Sequence, residues 1–300
     1  MKVILDSRPG SGYVDSDDRY HLPRRYLKHA TAALGQWVVL YEPSREGGRT
    51  AYVAAARLVD VTADPARPGH HFAWLAERLP FDVPVPLRGP DGYREAALRA
   101  ITDRRAIGRA LQGQSIRPLL DEDFAEIVAT GLSRTLAPDQ RRRLDLDRIV
   151  DTDTLAILDG AITAPRLERA LASRVVRDAA FRGAVLEAYD DTCAVTGIRI
   201  VNGGGRAEAQ AAHIVPVAEG GRDIVQNGIA LSATAHWLFD RHLISIDEDW
   251  RLLVSHNKVP AELRGLMRNP TQLVGLPCDA ALWPDQRFLA YHRERFAEAA

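Results

Sequence analysis

Three hundred residues, 46% hydrophobic and 26% charged, allow two compact domains with cores of their own, and a formal net charge of −1 excludes a global basic field as the means of holding a polyanion. Two cysteines, Cys193 and Cys278, exclude a four-thiolate zinc site and a disulfide framework, so free thiols in a reducing cytoplasm are expected. The opening MKVILDSRPGSGYVDSDD lacks a signal-peptide pattern and no long apolar run follows, so the expectation is a soluble cytoplasmic protein with no membrane partner.

The stretch to Asp18 reads as a strand and then a Gly/Ser/Asp-rich loop. Apolar Leu22, Tyr26, Leu27, Ala30 and Leu34 recur at helical spacing, with Pro23 near the helix start. Gln36–Tyr41 is β-branched and aromatic between Gly35 and Pro43, and Ala51–Val61 is its expected antiparallel partner across the SREGGRT turn. Short strands punctuated by proline are expected from the DPARPGHH turn to about Leu87. From Arg94 to about Glu187 the period becomes helical, in IGRALQG, DEDFAEIVATGL and RLERALASRVVRDAAFRGAVLEAY, with Asp121 as a helix cap. The run QRRRLDLDR, with Arg141, Arg142 and Arg143, alternates in charge as a solvated helix face does.

Charge by segment does not mark a nucleic-acid face. Residues 1–100 carry 14 basic and 12 acidic groups, and residues 181–260 carry 7 and 10, so any grip on phosphates must come from local patches.

The informative stretch runs from Cys193 to Asp247: a knuckle, a strand ending at His213, a Gly-rich loop, a short strand at Gly228–Leu231, and a helix carrying His236 and Asp240. Four residues apart, His236 and Asp240 share one helix face and can grip one divalent cation. A neutral histidine such as His213 suits proton abstraction from water near pH 7, and Asn227 can orient that imidazole or stabilise the loop.

This stretch resembles the HNH, or ββα-metal, endonucleases, through AHIVP with His213 and Pro216, Gly220–Gly221, Asn227–Gly228, and His236 with Asp240. The resemblance covers about residues 181–256 and implies His213 as general base, Asn227 as the brace, His236 and Asp240 as metal ligands, and Mg2+, Mn2+ or another divalent ion as cofactor. Two departures stand out. Ala212 occupies the position where most members place Asp or His, so a first ligand is missing, and CAVTG keeps only Cys193 of the usual Cys pairs, with Thr196 in place of a second, so no structural zinc is expected.

The segment GQWVVLYEPSREGGRTAYVAAARLVDVTADPARPG resembles the EVE-type domain of the PUA-like superfamily, through Gly35, Tyr41, Pro43 and Asp64–Pro65, with Gln36 replacing the usual acidic residue. That resemblance implies reading of a modified or flipped base. An extruded base needs aromatic faces and phosphate contacts, for which Trp37, Tyr41, Tyr20, Trp74, Arg24 and Arg25 are candidates.

The expected fold class is α+β: a PUA/EVE-like β-barrel-type reader over 1–100, a helical linker over 101–180, and a ββα-metal HNH domain with a C-terminal extension over 181–300. A reader joined to a cutter resembles modification-dependent restriction endonucleases, with modified DNA as partner and a homodimer as a route to double-strand cleavage. The competing expectation is a regulator that binds modified nucleic acid through a catalytically inactive HNH fold, on account of Ala212.

Overall fold

The computed structural model describes residues 1–7, 15–16, 18–44, 48–103, 105–136, 163–268 and 274–299. The QRRRLDLDR run with its three arginines, most of the N-terminal loop and the tip of the SREGGRT turn lie outside the described residues. The described residues form two compact units, one within 1–137 and 150–177 and the other within 178–300.

The first unit is built on a six-stranded sheet: β1 (Lys2–Asp6), β2 (Arg19–Pro23), β3 (Trp37–Glu42), β4 (Ala51–Ala63), β5 (His70–Pro86) and β6 (Ile116–Leu119), in the order β2-β5-β4-β3-β1-β6. β1 and β3 run parallel and the other neighbours are antiparallel. The sheet is curled rather than a closed barrel: edge strands β2 and β6 share no ladder among the described residues. Side chains link the two edges instead, Tyr20 Oη donating to Ser115 O at 3.2 Å and Tyr26 Oη donating to Gly113 O.

Alternation along the strands gives the sheet two buried faces. Val3, Leu5, Tyr20, Leu22, Val38, Leu40, Ala54, Ala56 and Leu75 point into the curl, where helix α1 (Leu27–Ala32) adds Ala30. On the other face, helix α2 (Asp121–Gly131) packs against β4 and β5, and Lys2 reaches across the Phe124 ring to Asp121 and Glu168, the latter on helix α3 (Ala164–Ala172).

Several local expectations are corrected. The helix expected from Leu22 begins only after a 3-10 turn at Arg24–Tyr26, because Pro23 (ψ 155°) holds extended backbone and its ring disfavours helix at Leu22. The Pro-punctuated strands up to Leu87 are one 17-residue strand, β5. Its prolines are tolerated because the ladder is irregular there: Tyr52 pairs with Val85 and Ala54 with Pro80, so Phe81–Pro84 bulge out of register. The helical stretch from Arg94 is interrupted by β6, which completes the sheet beside β1. Asp121 is not a cap; Leu120 holds that position, and Asp121 sits in the first turn, paired with Lys2.

The second unit begins within helix α4 (Arg174–Ala188) and contains two small antiparallel ladders, β7 (Gln210–His213) with β8 (Gly228–Leu231) and β9 (Ile244–Ile246) with β10 (Leu252–Val254). Helix α5 (Ala233–Asp240) follows β8 directly, and helix α6 (Gln286–Ala299) packs against β9. The order β7, β8, α5 is the strand–strand–helix arrangement expected around His213. Among the described residues no helix is long and apolar enough to cross a membrane.

Candidate active site

The site is assembled on the β7–β8 ladder. His213, the last residue of β7, lies opposite Gly228, the first of β8. A side chain at Gly228 would collide with α4, since an added Cβ would lie 2.4 Å from Val185 Cγ2 and 3.0 Å from the Phe181 ring. The glycine thus lets α4 approach the ladder, and Phe181 stacks flat on the His213 imidazole, centroids 3.8 Å apart and planes 8° from parallel. On the ring's edge, Nε2 lies 2.9 Å from Asp223 Oδ1. An ionised carboxylate only accepts, so Nε2 carries the proton and Nδ1 keeps the lone pair.

Asn227 is fully buried and does not touch the imidazole. Its Oδ1 accepts from Val215 N at 2.9 Å, and its Nδ2 donates to Val215 O at 3.0 Å and Arg222 O at 2.9 Å, so it staples the loop between the two strands. Gly221 completes the loop by close approach: an added Cβ would lie 1.8 Å from Val215 O. The loop held in this way carries Asp223. Of the two roles open to Asn227 in the sequence, the geometry is that of the loop stabiliser.

Helix α5 starts at Ser232, whose side chain accepts from Ala235 N, and buries Ala235, Leu238 and Phe239. Its other side presents two parallel pairs. His236 Nε2 and Asp240 Oδ2 stand 3.5 Å apart, and the Arg241 guanidinium lies 4.3 Å from the ring centre of Trp237, which is 51% exposed. Gln210 Oε1, on β7, accepts from His236 Nδ1 at 2.8 Å, leaving Nε2 as the lone-pair nitrogen. Burial, foremost, and the nearby guanidinium of Arg182 lower the proton affinity of His236 from the ordinary histidine value, against the pull of Asp240.

A divalent metal is what HNH chemistry implies, and the donor set fits part of one. Two ligands each about 2.1 Å from a shared ion stand about 3–3.5 Å apart, as His236 Nε2 and Asp240 Oδ2 do. Among the described residues no group of three or more His, Cys, Asp and Glu side chains is placed to hold a metal, so water and substrate oxygens would fill the other positions. Ala212, within β7, is fully buried and lies opposite Ile229.

The remaining sequence candidates are dispersed. Tyr20 lies inside the curl, whereas Trp37 and Tyr41 lie on the opposite face of the same sheet, and all three are buried. Tyr41 is covered by the Arg117 guanidinium, 5.0 Å from its ring centre, and burial pushes its hydroxyl up to about 12. Trp74 is half-buried, its indole N–H donating to Thr62 Oγ1 at 2.8 Å. Arg24 and Arg25 are exposed on the 3-10 turn, Arg25 over the Tyr26 ring. Cys193 is buried, and its sulfur accepts from Thr196 N to close the knuckle.

The residues that sequence reasoning missed are Asp223, Phe181, Gln210 and Arg182. Asp223, ten residues beyond His213 and directly after Gly220–Gly221–Arg222, was open to discovery as the only carboxylate of that loop beyond the glycines. The others meet the site only through tertiary packing.

Residues 193–247 match the HNH_2 family, HNH endonuclease, so this part of the chain is an HNH endonuclease module. Among solved structures, the chain is similar to a modification dependent TagI restriction endonuclease, at 15% identity and a TM-score of 0.32, over 98% of this chain and 80% of that one. It is also similar to Rpa0253 from Rhodopseudomonas palustris (20% identity, TM-score 0.29, 43% of this chain and 92% of that one). A third similarity is to the type IV phosphorothioation-dependent restriction endonuclease ScoMcrA (16% identity, TM-score 0.21, 98% of this chain and 50% of that one). No curated protein matches the sequence.

Proposed function

We propose that the chain is a metal-dependent DNA endonuclease directed to DNA that carries a modified base, with residues 181–300 as the nuclease, 1–100 as the reader and 101–180 as the linker. The observation that carries the nuclease part is the Asp223–His213 pair at the end of the β7–β8 ladder, beside the helix α5 that carries the His236–Asp240 pair, inside the segment that matches the HNH endonucleases.

In this reading Nδ1 of His213 takes the proton of the attacking water. Asp223 holds Nε2–H, which fixes the tautomer and stabilises the imidazolium that forms. Phe181 removes the ring's freedom to rotate, and Asn227 keeps the loop that carries Asp223 in place. His236 and Asp240 would hold a divalent ion such as Mg2+ or Mn2+, which would supply positive charge to the phosphoryl oxygens and the departing alkoxide.

The reader part is supported by the EVE-like sequence features and by a half-exposed aromatic surface on the first unit. There Phe72 and Trp74 of β5 lie beneath the Arg19 guanidinium, 4.9 Å and 6.0 Å from the two ring centres. Planar faces beside a cation are what an extruded base and its flanking phosphate require. Cutting both strands requires two such centres, which a homodimer would provide.

The test is incubation of phage DNA containing 5-hydroxymethylcytosine and its unmodified counterpart with the protein, in Mg2+, Mn2+ or EDTA, beside His213→Ala. Metal-dependent cutting of the modified DNA alone, lost in His213→Ala, is expected. Cutting of neither DNA overturns the nuclease reading, and equal cutting of both overturns the reader.

A further inference from the structure

Beside the base and the metal pair, the second unit contains a groove of about 370 Å³, walled by α4, by the segment that leads into β7, and by the first turns of α5. Arg182 and Leu186 line it on one side, Arg206 and Gln210 on another, and His236 of the metal pair lines it as well. Deepening the nuclease reading and resting on it, we propose that this groove is a phosphate-binding site for the strand to be cut, with Arg182 as its anchoring cation.

Arg182 is half-buried, and among the described residues no ion pair joins it to a carboxylate. The groove does contain one acid, Glu208, but an oxygen of that side chain accepts from Ala233 N at 3.0 Å, at the start of α5. A partly desolvated guanidinium with no anion is an unfavourable arrangement on its own, and an incoming phosphate relieves it with paired, charge-assisted hydrogen bonds. The placement of Arg182 follows from its neighbour. Phe181 is fixed against His213, so the next residue of α4 is directed by the same contact that positions the base. A phosphodiester on Arg182 therefore lies in the groove that His236 also lines. The acidic balance of residues 181–260 makes such a local cation more necessary, since the unit offers no general positive field.

The test uses the full chain with Arg182→Gln, which keeps a long polar side chain, and Arg182→Lys, which keeps the charge. Binding of a short fluorescein-labelled DNA duplex, in EDTA so that it stays intact, is followed by anisotropy across a salt series. The slope of log affinity against log salt should fall by about 0.9 in Arg182→Gln and be restored in Arg182→Lys. Cutting of hydroxymethylcytosine DNA should slow by about 100-fold in Arg182→Gln, with an intermediate rate in Arg182→Lys, which lacks the two-pronged fork. An unchanged salt slope in Arg182→Gln overturns the proposal. If no protein, wild type included, cuts any DNA, the nuclease reading fails while the salt slope still decides whether Arg182 holds a phosphate.

Discussion

Asp223 and His213 are joined side chain to side chain at 2.9 Å, both partly shielded from water, with Phe181 flat against the imidazole. In the proposed reaction that carboxylate would select the tautomer of His213 and stabilise its protonated ring.

Loss of that carboxylate should therefore affect the chemical step and leave DNA binding unchanged. Asp223→Ala is expected to lower kcat by about 10–100-fold with little change in KM, and His213→Ala to abolish cutting. Single-turnover cleavage measured beside equilibrium binding separates the two effects. A rise in KM at constant kcat would reassign Asp223 to substrate binding.

What the sequence disclosed of this site was its local part. His213, Asn227, His236 and Asp240 lie within 28 consecutive residues whose strand, loop and helix periods are short-range properties, so their elements were legible. Phe181 and Arg182 precede His213 by about 30 residues and reach the site only because Gly228 lets α4 pack on the ladder. No period or spacing encodes that approach. In the first unit the strand pair Trp37–Glu42 and Ala51–Ala63 was legible from β-branched content and its turn. The length of β5 was not, because its prolines read as breaks, whereas bulges against β4 absorb them. Nor was the split of the aromatic residues: alternation sets Tyr20 and Trp37 on opposite faces, but only the finished sheet shows which faces are covered.

Asn227 and Gly221 should matter for stability before they matter for chemistry. Asn227→Ala leaves Val215 N–H, Val215 O and Arg222 O without their side-chain partner in a buried loop, a loss of about 2–4 kcal/mol. Asn227→Asp keeps the acceptor for Val215 N but sets a buried carboxylate oxygen against the carbonyls of Val215 and Arg222, acceptor against acceptor, so it should cost at least as much as Asn227→Ala. Gly221→Ala, whose Cβ would overlap Val215 O, should cost a similar amount. Urea unfolding of the three variants gives the order, and a neutral Asn227→Ala would remove the residue's bracing role.

His292 predicts a pH dependence. It is buried on α6, stacked on Phe239 at 3.7 Å, with Nε2–H donating to Phe239 O at 3.0 Å and Nδ1 2.9 Å from Ser245 Oγ, an arrangement that suits a neutral ring. Burial holds its pKa down to about 4, below the ordinary value of 6.5. Between these values the unfolded chain binds the proton that the folded chain refuses, so stability rises with pH across the window. The contribution is present above about pH 6.5 and is lost progressively as pH falls toward 4, by up to about 3 kcal/mol. Denaturation midpoints at pH 7, 5.5 and 4.5 should show that slope in the wild type and a smaller one in His292→Gln.

Two tryptophans separate reading from folding. Trp37 is enclosed on the helix-covered face of the sheet, so Trp37→Ala should destabilise the first unit by about 3–5 kcal/mol, whatever the protein binds. Trp74 is half-buried beside Phe72 and Arg19, and its ring is held by a hydrogen bond to Thr62, so Trp74→Ala should cost only about 1 kcal/mol. If a modified base stacks on this surface, that milder variant loses the most discrimination. The rate ratio for hydroxymethylcytosine DNA over unmodified DNA should fall by about tenfold or more in Trp74→Ala, in line with about 1–3 kcal/mol per stacked base. Arg24→Ala and Arg25→Ala, both exposed, should weaken binding to the two DNAs alike, as sequence-independent phosphate contacts do. A Trp74→Ala protein that folds and still prefers the modified DNA by the wild-type ratio would move the reader away from the Phe72–Trp74 surface.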